Sequence, residues 1–485
     1  MKMEIKKEAT YTIDEVALHR NAKDHWTVIN GKVYDLTSFV SLHPGGPLIL
    51  STGGIDASVL YEQYHFQHKA RADAILKKYY VGEFEGKSPK MGDFWNECSK
   101  RVAAVLGKLP NKGRFPLRAK YVFWFDTIGL MGLLWGSLFI TKDTVRTKPV
   151  LVFVWRLLFF GIFLGRFQQQ NHALGHFMLF KSHFLTICLD HLMLMCGSAS
   201  AQAFAFTSNG NPREKLHLPR EVAQREYVIR GPHEHQAIHH VRGATLDEDQ
   251  CRMVATRNGR LRMSSWDKHR RIHSFQTSII YQYILNYTWA VAFILSPIVS
   301  LAILSHTFAK NREWSRCLAS CIGVGSSMMT ARLLFLPLQT GTLQDTVLFV
   351  GLIWFLVHVG LANTFGWLFF AQHRWDVSIP EERAAEDWGR HNAETSVSLW
   401  PTNGWHPAFW FQGRTCPATL SFHLEHTLFP SVPYLHLEAI GPVVEKCAKK
   451  HGVEYTKFVG TDAVDEWING LLQAHANPDP KVKAA

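Results

Sequence analysis

Twenty-six histidines lie in this 485-residue chain, and several fall in clusters whose spacing suits metal chemistry. His43 opens the run His43-Pro44-Gly45-Gly46, and His65 follows 22 residues on, at the end of YEQYH. Two neutral imidazoles on separate short helical segments can close on one haem iron from opposite faces, and Pro-Gly-Gly lets the backbone approach a porphyrin closely. His172 and His176 stand at i and i+4, which on a helix puts both rings on one face. His233, His235, His239 and His240 crowd into eight residues, a density that packing alone seldom requires. His423 and His426, at i and i+3, share a helix face just ahead of the helix stop at Pro430. Together these clusters supply nitrogen donors for a pair of iron ions in a ligand field suited to O2, unlike the carboxylate-rich sites of soluble di-iron bundles.

The elements that must carry these residues differ along the chain. Residues 9–84 have soluble character, with alternating runs such as WTVINGKVYDL that read as strands broken at Asn30-Gly31, so a compact α+β unit is expected there. Residues 1–8 read as a tail. Residues 85–120 are basic and punctuated by Gly and Pro, which suits a linker towards a membrane surface. Apolar stretches then occur at 121–141, 149–166, 184–206, 278–305, 316–338 and 345–371, against the roughly 20 residues a bilayer crossing needs. Asp126, Arg156, Asp190 and Arg332 interrupt several of them, and ionisable groups are costly in hydrocarbon unless they face protein or reach the interface. Histidine clusters that share one metal site must lie on one side of the membrane, so the chain crosses an even number of times between them. The 184–206 stretch is then interfacial or re-entrant and 316–338 does not cross, which leaves four crossings.

Composition agrees with this segregation. The chain is 47% apolar and 13% aromatic, yet its mean hydropathy is only −0.06. The formal net charge of +12 comes from basic residues scattered between apolar runs, a pattern suited to an anionic lipid surface and not to nucleic acid. Eight cysteines show no CxxC pair and no regular spacing, which argues against a disulfide framework or a zinc ribbon. The charged start MKMEIKKEATYTIDEVALHR has no apolar core of a signal peptide, so the first domain is expected in the cytosol. The ending KVKAA is similar to a dilysine retrieval signal of endoplasmic reticulum membrane proteins.

The motifs also carry a resemblance. HPGG, GIDASVLYEQYH and LKKYYVGEF, spread over nearly all of residues 9–84, resemble a cytochrome b5 domain. That resemblance implies His43 and His65 as the axial ligands of haem b, with His68 as the substitute for His65. The order of this domain followed by HxxxH, HxxxHH and HLEHTLFP resembles the front-end fatty acid desaturases, as do GWLFFAQH with His373, EDWGRHNAETS and SVPYLHLEAIGPVVEKCAKKHGVEY. The resemblance implies an α+β cytochrome b5-like haem domain (9–84) fused to an all-α membrane desaturase domain (121–440) with four transmembrane helices plus interfacial helices, and a cytosolic C-terminal segment (441–485). It implies two non-haem iron ions held by His172, His176, His235, His239, His240, His373, His423 and His426.

By the same resemblance the activity is O2-dependent desaturation of an acyl-CoA or phospholipid acyl chain. Electrons would come from an NADH-dependent cytochrome b5 reductase, in the endoplasmic reticulum membrane, with the N-terminus, the histidine boxes and the C-terminus cytosolic. Two other outcomes fit the same residues: a sphingolipid desaturase or acyl hydroxylase of the same superfamily, and a non-catalytic membrane haem electron carrier. The chain departs from the family pattern at three places. Its second box is one residue longer, so that His233 can replace His235. His235 lies 63 residues beyond His172, a wide interval. Thr427 stands where the third box has its second histidine, and His373, His391 or His406 can replace that imidazole.

Overall fold

A computed structural model of the chain describes residues 9–176, 178–197, 314–336, 385–400 and 422–459, with a few further helical positions between 298 and 347. Strands β1 (Thr10–Tyr11), β2 (Arg20–Asn21), β3 (Asp24–Ile29), β4 (Lys32–Asp35) and β5 (Tyr80–Phe84) form the N-terminal sheet, in the order β1-β5-β4-β3-β2. β1 runs parallel to β5, and the other neighbours are antiparallel. Asn30 and Gly31, at φ 52° and 79°, make the left-handed pair that a two-residue hairpin of matching twist requires. Helix α1 (Ile13–Val16) lies between β1 and β2 and starts with a reciprocal cap between Thr12 and Glu15. Consecutive strand residues point to opposite faces, so Val28 and Val33 pack with Val16, while Ile29 and Tyr34 pack with Leu36, Ile49, Tyr61 and Leu76. The second cluster backs helices α2 (Ser58–His65) and α3 (Lys69–Leu76).

Within the stretch expected as a linker, α4 (Gly92–Gly107) buries Phe94, Trp95, Cys98, Val102 and Leu106 at helical spacing. Helices α5 (Leu117–Gly136), α6 (Lys142–Thr147) and α7 (Pro149–Arg156) follow, and α7 runs through a π-helical stretch, Leu157–Phe163, into α8 (Leu164–Gly175). Next come α9 (His183–Met195), α10 (Trp314–Phe335) and α11 (Trp388–Thr395). Strand β6 (Val397–Trp400), helices α12 (His423–Leu428) and α13 (Leu437–His451) and strand β7 (Thr456–Val459) complete the described chain. β6 and β7 pair in parallel, so among the described residues the remainder is helical, as expected, with the addition of this small two-stranded sheet.

Among the described residues, Leu117–Phe139 is the one helical stretch long and apolar enough to cross a membrane. It exposes Leu117, Tyr121, Phe125, Ile128, Trp135 and Phe139 and buries Ala119, Phe123, Asp126, Leu130 and Leu134, so one face meets protein while the other is open and apolar. α9 has 13 residues and stops before Gly197 at φ 83°. Its length of about 20 Å is less than a bilayer core of about 30 Å, and residues 198–206 of that apolar stretch lie outside the described residues. Most of 278–305 and 345–371 lies outside the described residues.

Each ionisable residue that interrupts an apolar stretch meets protein. Asp126 accepts from Arg166 Nε at 2.6 Å and Gln170 Nε2 at 2.8 Å. Arg156 Nε donates to Leu333 O at 3.0 Å, Arg332 to Ile140 O at 3.3 Å, and Arg316 to Asp190 at 3.3 Å. These contacts tie α5 to α8, and α10 to α7, α9 and the segment that follows α5, answering the cost of polar groups in apolar helices.

Candidate metal centres

The first candidate site lies between the loop carrying His43 and the end of α2. His43 follows a 3-10 turn, Val40–Leu42, and its Nδ1 lies 3.3 Å from Gly46 O. Gly45 makes this fold possible, because a Cβ there would stand 2.6 Å from His43 Cε1. His65 ends α2, with Nδ1 2.9 Å from Tyr61 O. A carbonyl can only accept, so in each ring Nδ1 carries the proton and Nε2 keeps its lone pair. The two ring centres are 6.1 Å apart. Imidazoles bonded at about 2 Å to opposite sides of one metal ion have centres about 6 Å apart, so the pair fits a haem iron.

Burial pushes the His65 pKa down to about 4 and lowers that of His43, while their backbone carbonyl partners pull the other way. Both rings are therefore neutral at pH 7, the ligating form. The ring centres of His68 and His65 are 5.6 Å apart. His65 is the ring that meets His43.

The second site lies where α8 meets α12. His172 sits in the last turn of α8, and His176 caps that helix at φ −82°, ψ 1°. His426 comes from α12, which ends just before Pro430 as the spacing predicted. Their ring centres are 4.7 to 4.9 Å apart, and one ring nitrogen from each lies within 4.8 Å of the others. All three rings are buried, and Nε2 of His172 and Nε2 of His176 face each other at 3.3 Å. Nitrogens held at about 2.1 Å and a right angle on one ion would be about 3 Å apart. A buried set of imidazoles without a carboxylate suits a first-row transition ion such as iron.

His423 is buried on the same helix, with its ring centre 6.4 Å from that of His426, and lies outside this three-residue group. His235, His239, His240 and His373 lie outside the described residues, as do His233 and His406. His391 is buried on α11 and is not one of the three converging rings. Thr427 is occupied with structure: its hydroxyl donates to Leu424 O at 3.0 Å and lies 3.3 Å from Ser396 Oγ. Between the two histidines of α12, fully buried Glu425 accepts from the hydroxyls of Ser398 on β6 and Tyr455. Burial raises its carboxyl pKa, and those hydroxyls oppose the rise.

The two sites abut. From α2, Gln63 Nε2 donates to Thr427 O at 2.8 Å, and Ser431 Oγ donates to Gln63 O at 3.1 Å. Tyr64 Oη lies 3.1 Å from His176 Nδ1. Phe66 packs on Phe429 at 5.2 Å between ring centres. On the other side of the haem crevice, His183 Nε2 donates to Pro44 O at 2.9 Å. Sequence reasoning missed Gln63 and Tyr64, since no spacing rule marks them and their one signal is adjacency to His65.

Residues 12–85 match the family model of the cytochrome b5-like heme/steroid binding domain, and residues 231–459 match that of the fatty acid desaturases. The chain belongs to the cytochrome b5-fusion fatty acid desaturases. It is 34% identical to cytochrome B5 isoform D of Arabidopsis thaliana over 134 residues, covering 27% of this chain and 91% of that protein. It is 47% identical to cytochrome b5 of Borago officinalis over 79 residues, covering 16% of this chain and 58% of that protein, little more than half its length. An acyl-lipid (8-3)-desaturase of Physcomitrium patens is 24% identical over 471 residues, covering 92% of this chain and 87% of that protein. The desaturase match takes in His426 but starts beyond His172 and His176. In this fusion desaturase those two histidines reach the cluster on α8, upstream of the matched segment.

Proposed function

We propose that this fusion is a membrane-bound fatty-acyl desaturase that introduces a double bond into an acyl chain with O2, receiving electrons through its own haem domain. The observation that carries this reading is the seating of α2, which ends in His65, directly on the helices that bear His172, His176 and His426. His43 and His65 are assigned as the axial ligands of haem b. His172, His176, His235, His239, His240, His373, His423 and His426 are assigned to two non-haem irons. Iron held there, supplied with O2 and electrons, provides the oxidising power that an unactivated C–H bond demands.

The chain's own residues do the rest. Tyr61 O and Gly46 O fix the tautomers of His65 and His43, which keeps Nε2 free for the haem iron. Gln63, Ser431 and Phe66 hold the haem domain against α12. Trp95, Trp388 and Phe429, all fully buried, keep water out of the junction. The open apolar face of α5 supports lipid contact on that side, from which an acyl tail can enter.

We assign four crossings, with the N-terminus, the histidine boxes and the C-terminus cytosolic. The endoplasmic reticulum membrane, an NADH-dependent cytochrome b5 reductase as donor and an acyl-CoA or phospholipid acyl chain as substrate complete the reading. Reduced cysteines are consistent with it, Cys98 and Cys447 being free and buried where α4 meets α13. The domain limits that go with it are 9–84, 85–120, 121–440 and 441–485.

Expression in yeast fed candidate polyunsaturated acids, followed by gas chromatography and mass spectrometry, tests the proposal. A new acyl product that has lost two hydrogens is expected, and it should disappear in His426→Ala. A product that has gained an oxygen would make the enzyme a hydroxylase. A purified protein with haem, no non-haem iron and no product would make it an electron carrier.

A further inference from the structure

We propose that Tyr64, a residue of the haem domain, is a positioning residue for the non-haem metal site, making metal binding depend on the docking of that domain. The inference rests on the desaturase reading and adds to it a residue outside the histidine boxes. Tyr64 directly precedes His65 on α2, and its hydroxyl oxygen lies 3.1 Å from His176 Nδ1. The other nitrogen of His176 faces His172 Nε2 at 3.3 Å. With Nε2 turned to a metal, Nδ1 carries the ring proton and donates it to the Tyr64 oxygen.

Metal-bound imidazoles usually hold this second N–H against a fixed acceptor, and loss of the acceptor costs about 10–100-fold in metal affinity or activity. Here the acceptor comes from the haem domain. Its place is fixed from both flanks: Gln63 is bonded to Thr427 O and to Ser431, and Phe66 is packed on Phe429. A shift of α2 would therefore release His176 and the carboxy-terminal end of α12 together.

The same contact is a short link between the centres. One peptide bond joins His65 to Tyr64, and one hydrogen bond joins Tyr64 to His176. With both groups bound, an electron passing along it would leave ferric haem and a ferrous non-haem iron, with no bond made or broken. His183 makes the other contact with the haem loop, through Pro44 O, and His183 is not in the metal cluster.

The full-length, haem-loaded protein stripped of non-haem iron can be titrated with Co(II), whose visible bands report its ligands. Tyr64→Phe should keep the haem content and Soret spectrum of the parent and bind Co(II) about tenfold or more weakly. Reoxidation of its reduced haem by O2 in the iron-loaded form with acyl substrate should slow by a similar factor. Tyr64→Gln, which retains an oxygen acceptor, should recover part of both. A Tyr64→Phe protein with parental Co(II) affinity and reoxidation rate overturns the proposal. So does one that loses haem, because the hydroxyl would then serve the haem domain's own fold. A parent protein that binds haem but no Co(II) removes the desaturase reading itself, a different failure seen before any variant is made.

Discussion

Replacing Thr427 with valine should cost stability and leave metal binding alone. The threonine is 3% exposed. Its hydroxyl donates to Leu424 O at 3.0 Å and lies 3.3 Å from Ser396 Oγ. Valine has nearly the same shape, so no cavity opens and the loss is that of the two polar contacts. At about 1 kcal/mol net for each, the change amounts to about 1–2 kcal/mol. In a chain of this length that lowers the melting temperature by a few degrees, since about 2–4 °C per kcal/mol is typical of domains of 150–250 residues. Thermal unfolding in detergent, followed by tryptophan fluorescence, measures the stability, and Co(II) titration measures the metal site. Affinity should stay within about twofold. A drop of tenfold or more, about 1.4 kcal/mol, with little change in stability would show that Thr427 acts on the metal and would refute the reasoning. Thr427→His, which restores the family's imidazole, enlarges a filled position and should destabilise by about 1–3 kcal/mol without raising the Co(II) stoichiometry.

Gly45→Ala should impair haem binding, because the new Cβ would lie 2.6 Å from His43 Cε1 and push the ring from its place opposite His65. Haem transfer to apomyoglobin should then be faster by about tenfold or more, and parental retention would count against His43 as a ligand. Glu97 on α4 accepts from Lys450 and His451 of α13 and pairs with Arg101, and these contacts, Lys450 first, hold its carboxyl at about 2 against an ordinary 4.5. A depressed folded-state pKa gives stability that is complete above 4.5 and lost as pH falls towards 2. The stability difference between the parent and Glu97→Gln should therefore be level at neutral pH and shrink through that window. A difference that persists at pH 2 would mean the contact acts through packing.

The features legible in the sequence were local ones. His43-Pro44-Gly45-Gly46 could be read because the fold of that loop depends on its own glycines, and His423 with His426 because a short helix before a proline sets their spacing. Asn30-Gly31 gave the hairpin for the same reason. β6 and β7 could not be read, since strands Val397–Trp400 and Thr456–Val459 are short and pair across 55 intervening residues. Helix α4 was hidden by its flanks: Gly, Pro and Lys mark 85–120 as a linker, while the apolar face of 92–107 shows only at helical period. At Thr427 the motif records which residue stands in place of the histidine and not where its hydroxyl points. Ser396, which meets that hydroxyl, lies 31 positions away.

The buried α4 also changes what joining the two domains achieves. A flexible tether would raise the effective concentration of the haem domain at the metal site to the millimolar range, and each electron would still wait for a productive encounter. Trp95 of α4 instead stacks on Phe429 at 4.8 Å, meets Phe66 of the haem domain edge-on at 6.5 Å and Trp388 of α11 at 5.4 Å. Four separate parts of the chain therefore share one aromatic cluster beside the last histidine box. Moving the haem domain away would break that contact, the Gln63 bonds and the Tyr64 bond together, so several contacts hold it docked at once. An electron donor to the haem domain would then have to approach while α2 stays seated. Such an approach would come from a side away from α2 and from the Pro44 contact with His183.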